Sequence, residues 1–209
     1  MNALLKRDFY MSMANFLMIA ITLPLFYLLK MSPHFMYLVI MYSFAWGLAY
    51  YDDYAKIHAF LASLPLKRKQ IVQARYLFII ICGFIVGLFC LGLDRIFRLF
   101  FQYDVIAFNG KSFFVLFCVG LLLISFSLPF FYQFRFTISI ILQIILLVVL
   151  VTVGIYSLRF IYERELTWLI EIAEWIYAHY KVCLSITMVL FLILSYFLSV
   201  RIFHKKDLP

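Results

Sequence analysis

The residues able to do chemistry are few, and most of them gather in one stretch, 51–77. Asp52 and Asp53 stand side by side, and Lys67, Arg68, Lys69 and Arg75 follow. Between the two groups, Ile57, Phe60, Leu61 and Leu64 repeat at the i, i+3, i+4, i+7 spacing of one helix face. The chemistry such a set performs is recognition. An acid caps a helix start, an apolar stripe enters a groove, and a cluster of cations meets an anionic membrane surface or an acidic partner. Catalytic constellations do not show. His34, His58, His179 and His204 are scattered, with no H-E-x-x-H pair. Cys82, Cys90, Cys118 and Cys183 lie inside apolar runs without C-x-x-C spacing, so they read as small buried hydrophobes rather than metal ligands or a disulfide framework. A phosphate-binding G-x-x-x-x-G-K-[ST] loop is missing too, which excludes ATP binding by that route. The chain is expected to have no catalytic residue, metal site or cofactor of its own.

The elements that must position this stretch are helices in lipid. Apolar residue types make up 67% of the 209 and charged types only 13%, with a mean hydropathy of +1.05. A soluble domain is about half apolar and a quarter charged. The net charge of +8 belongs to cations set between apolar runs, so no nucleic-acid partner is expected and the positive-inside rule is the better account. A helix crosses the hydrocarbon core in about 20 residues, and six segments qualify: about 11–29, 33–50, 74–93, 113–132, 136–158 and 182–203. The expected fold is all-α, a single transmembrane domain over 1–209 with six transmembrane helices.

The connections carry the rest. Residues 1–10 pair Leu4, Leu5 and Phe9 with Lys6, Arg7 and Asp8, as an interfacial helix or a basic tail that sets topology. Residues 94–111 mix Arg with Phe and are expected in the outer interface. Residues 160–181 alternate an apolar stripe with four glutamates, as a re-entrant or interfacial helix on the outer face before span six. A cytoplasmic N-terminus puts 11 of the 18 Lys and Arg on the inner side, so both termini are expected in the cytoplasm. Gly83 and Gly87 form one G-x-x-x-G, open to packing within the chain or to a dimer contact. Thr22, Ser43, Ser125, Ser127, Gln143 and Thr152 either line a pathway or bond their own helix backbone. No Asp, Glu, Lys or Arg falls in the middle of a span, which counts against an ion-coupled carrier.

Ser63-Leu64-Pro65, with Arg68, Ile71, Val72, Arg75 and Tyr76, resembles the S-L-P-x-x-R-x-x-I-V-x-x-[KR]-Y signature of small bacterial type-2 ABC exporter permeases. Leu5-Lys6-Arg7-Asp8-Phe9 is similar to that family's L-x-K-D-F start. Leu128-Pro129-Phe130 with Tyr132 and Arg135 resembles its turn after span four, although Phe136 stands where many members have glycine. The resemblance implies a membrane subunit that pairs with a second permease, identical or homologous, and with two ABC ATPase subunits that bind the ATP and Mg. It also implies a cytoplasmic coupling helix between spans two and three, at 53–64. The contact would take Asp53, Lys56, Ile57, Phe60, Leu61, Leu64 and Pro65, flanked by Lys67, Arg68 and Lys69, with Phe60 and Leu61 as anchors. Similar permeases export amphipathic peptides such as phenol-soluble modulins, so a hydrophobic or amphipathic peptide cargo, leaving through the cell membrane, is the implied function. A non-transporting membrane scaffold and an ion-coupled secondary transporter are the alternatives.

Overall fold

A computed structural model describes residues 2–54, 68–100, 106–163 and 167–205. Among these the chain is all helix: α1 (Asn2–Met11), α2 (Met13–Leu28), α3 (Pro33–Tyr54), α4 (Arg68–Phe100), α5 (Gly110–Gln133), α6 (Phe136–Glu163), α7 (Thr167–Ala178) and α8 (Tyr180–Lys205). Four are long and apolar enough to cross a membrane: α4, α5, α6 through Gly154, and α8. A fifth is counted if α1 and α2, bent by 47° at Ser12, form one broken span. α3 has the length, its 22 residues rising about 33 Å, but its five tyrosines and two aspartates lower its apolarity.

α3 is nonetheless the centre of the bundle. Met36, Tyr37, Ile40, Met41, Phe44, Ala45 and Leu48 are buried against α4 and α5. Tyr37 and Tyr42 of this helix find hydrogen-bond partners inside, which lipid could not supply. Tyr37 Oη donates to the Gly83 carbonyl at 3.0 Å. From α2, Tyr27 Oη donates to Cys90 O at 3.2 Å, and its ring stacks on Phe97 at 5.1 Å. Cys82, Cys90 and Cys118 are buried thiols in this core, and Cys183 is half-buried.

Small residues set the spacing of the helices. A Cβ on Gly83 would stand 2.7 Å from Met41 Cε, and one on Gly120 would meet the same methionine's sulfur, so α4 and α5 close on α3 around Met41. A Cβ on Gly87 would overlap the Phe113 ring, itself packed on Tyr37, Phe84 and Phe117. Gly87→Ala is therefore expected to lower stability by about 1–3 kcal/mol through overpacking. Gly92→Ala, on the same helix with nothing within 4 Å, should gain up to about 1 kcal/mol. Thermal midpoints of the two variants in one detergent check this; a stable Gly87→Ala protein would contradict it.

The helix ends differ from the spans expected. α3 runs on to Tyr54, and α4, 33 residues long, continues past residue 93 through Asp94 and Arg98. An i, i+4 ion pair, Arg98 Nε to Asp94 Oδ2 at 2.8 Å, supports the helix in this extension, which belongs to the stretch expected as a connection between spans. α2 ends in a Schellman turn, with Met31 N–H on Phe26 O, Lys30 N–H on Tyr27 O, and Lys30 in the left-handed region at φ 54°. Asn109 caps α5, its Oδ1 accepting from Ser112 N at 3.0 Å. α5 and α8 pack along each other, whereas α6 touches α5 and α3 near its start and then turns apolar residues outward, Ile144 to Val153.

Candidate functional site

One end of the bundle gathers the charges that the sequence keeps apart. α1 packs on α4 with Leu4 and Asp8 on the same face, one turn apart, and both are buried. α3 brings Asp52 to the same depth, one turn beyond Leu48 on its inward face. From α4, on the buried face of Ile71, Ile79 and Cys82, Arg75 reaches both acids. Its Nη1 is 2.7 Å from Asp52 Oδ2, and its Nε is 3.5 Å from Asp8 Oδ2. Arg7 holds the other oxygen of Asp8, Nη2 to Oδ1 at 2.5 Å. Asp8, Asp52 and Arg75 are 0%, 2% and 5% exposed, so this is a buried network in which each charge depends on the others. A cavity of about 10 Å³, the size of one water molecule, adjoins Asp52 and Arg75 beside Tyr132. No simple spacing rule shows this cluster. The signal in the sequence is that Asp8, Asp52 and Arg75 each fall at the same-side end of an apolar run.

Of the predicted contact residues, Asp53, Arg68 and Lys69 are described. Asp53 lies inside α3, next to Asp52, and its Oδ2 accepts from Phe136 N, the first residue of α6, at 3.1 Å. Lys56, Ile57, Phe60, Leu61, Leu64, Pro65 and Lys67 lie outside the described residues. Arg68 opens α4, and its Nη1 donates to Phe203 O at 3.0 Å and His204 O at 2.8 Å. These carbonyls are at the negative end of α8, where a cation is favoured. Lys69 is exposed beside it. The two ends of segment 55–67 are thus tied to α1 through the Arg75 network, to α6 through Asp53, and to α8 through Arg68. Gly83 and Gly87 are elsewhere, in the helix core described above.

A second polar group sits deeper. Tyr42 of α3 donates to Gln143 Oε1 of α6 at 2.8 Å and is paired with Ser127 Oγ of α5. Gln143 Nε2 donates to Ser127 O at 3.4 Å. These three floor an apolar cavity of about 280 Å³ walled by Leu123, Phe126, Leu147 and Phe191. Gln143 therefore joins helices, and Ser127 does so while also donating to Leu123 O of its own helix, whereas Thr22, Ser43, Ser125 and Thr152 bond carbonyls of their own helices.

Four to five membrane-crossing helices around a buried polar core define a multi-pass α-helical membrane protein. The ABC-2 family transporter protein model matches residues 3–204, so the chain belongs to that family. It is a membrane permease of the ABC-2 class, whose members work with ATPase partners. No curated protein and no solved structure matches it.

Proposed function

We propose that this chain is the permease subunit of an ATP-driven exporter that moves a hydrophobic or amphipathic cargo, in the first instance a peptide of the phenol-soluble-modulin kind, out of the cell. Two separate ATPase subunits supply the energy, and a second permease, identical or homologous, completes the pathway. In this reading six spans, with α3 as the second, and both termini in the cytoplasm put segment 53–64, whose first two residues end α3, on the side of the ATPases. That segment acts as a coupling helix with Phe60 and Leu61 in the ATPase groove and Lys67, Arg68 and Lys69 at its flank. α7 lies at the outer face.

The observation that carries this reading is the bracketing of segment 55–67. Its ends are fastened to α1, α6 and α8 by Arg75, Asp53 and Arg68. A displacement of this segment would therefore act on several helices together, through the Arg75 ion pairs and the hydrogen bonds of Asp53 and Arg68. Membership in a family that works with ATPases supports an ATPase as the source of such a displacement.

Purification of the tagged chain from its host, followed by mass spectrometry, tests the reading. An ABC ATPase is expected in the eluate at a comparable amount. A chain that carries no ATPase but transports on an ion gradient would be a secondary carrier, and one that carries other membrane proteins without transport would be a scaffold; either result contradicts the proposal.

A further inference from the structure

The seam between α4 and α8 is fastened at one end and open beside it. Arg68 holds the last carbonyls of α8, and Tyr76 Oη is hydrogen-bonded to Ser195 Oγ at 2.5 Å and Ser199 Oγ at 2.9 Å. Tyr196 meets the Tyr76 ring edge-on at 5.9 Å. On the outside of this seam runs a groove of about 460 Å³. Its lining is ordered by polarity along α4: Lys69 at the end, Gln73 a turn further, then Leu77 and Ile80, with Leu192 and Ile193 of α8 facing them. No carboxylate lines it, and among the described residues Lys69 has no ion-pair partner.

From Lys69 to Ile80 is 11 residues, a rise of about 16 Å. Half the hydrocarbon core is about 15 Å, so with Lys69 at headgroup level the groove would span one leaflet and its apolar walls would lie at acyl-chain level. We infer that this groove is a binding site for one anionic phospholipid, its phosphate on Lys69 and Gln73 and an acyl chain between Ile80 and Ile193. Charge and depth together favour this occupant. An uncharged lipid brings no counter-charge to the exposed Lys69 ammonium, and a helix packed on the groove from another subunit would bury that ammonium without a partner. The site lies on the helix that also carries Arg68 and Arg75, so an occupied groove would stiffen the seam on which the ends of segment 55–67 are anchored.

Native mass spectrometry of the full chain, released from vesicles of equal parts dioleoylphosphatidylglycerol and dioleoylphosphatidylcholine, tests this. Wild type is expected to retain the anionic lipid about fivefold over the zwitterionic one, the factor that one lysine near the surface contributes. Lys69→Gln should bring the ratio to parity without moving the thermal midpoint, and Ile193→Trp, which fills the groove, should release both lipids. Equal retention by wild type, or a preference that survives Lys69→Gln, overturns the inference. So does displacement of the lipid by an amphipathic helical peptide at equal concentration, which would assign the groove to cargo.

Discussion

Arg75→Met is expected to cost about 3–5 kcal/mol of stability, the usual result of removing one partner from a buried charge network. Arg75 is the only described cation within ion-pair distance of Asp52, which would be left buried with its charge uncompensated, and Asp8 would keep Arg7 alone. Arg75→Lys should fall between, because one ammonium replaces a planar fork that reaches two carboxylates on two helices. The combined variant Arg75→Met, Asp8→Asn, Asp52→Asn should recover most of the loss, since no charge is then left unmatched. Thermal unfolding in detergent with gel filtration checks all three. If Arg75→Met alone unfolds within about 1 kcal/mol of wild type, the network is not what fixes this end of the bundle. If the combined variant is stable yet no longer couples to an ATPase, the cluster serves transmission as well as stability.

The second large effect is expected at Phe60 and Leu61. An apolar anchor seated in a partner's groove commonly contributes 2 kcal/mol or more, and a carboxylate there must also be desolvated. Phe60→Asp or Leu61→Asp should weaken the ATPase complex at least about 30-fold and abolish permease-stimulated ATP hydrolysis. The permease itself should keep its thermal midpoint, and the conservative Phe60→Leu should retain most of the coupling. Full coupling in both Asp variants would move the contact elsewhere.

The sequence reading and the structure agree most where physics is local. Long apolar runs must be helices in lipid, since only internal hydrogen bonding satisfies the backbone there, and α4, α5, α6 and α8 fall on the runs at 74–93, 113–132, 136–158 and 182–203. The differences lie where helices outrun the apolar runs and where partners come from far along the chain. Asp94 and Arg98 read as the start of a connection, whereas α4 continues through them with an i, i+4 pair. Residues 1–10 read as an amphipathic helix from the mix of Leu4, Leu5 and Phe9 with Lys6, Arg7 and Asp8, and they form α1; what that mix does not disclose is that Asp8 is buried, with Arg75, 67 positions later, answering it. Gln143 and Tyr42 are each unremarkable in an apolar run, and only the α3–α5–α6 crossing makes them the floor of a cavity. What no periodicity could disclose is that the two ends of segment 55–67 are fastened to three other helices.

That fastening gives the account its central claim, that work done by an ATPase enters here and leaves as movement of cargo. The direct measurement uses inside-out vesicles containing the permease and its co-purified ATPase, with a labelled amphipathic helical peptide outside. The account predicts peptide accumulation that requires ATP, persists when ion gradients are collapsed, and is lost in Phe60→Asp. Accumulation that follows an ion gradient without ATP, or ATP-driven accumulation undiminished in Phe60→Asp, would contradict it.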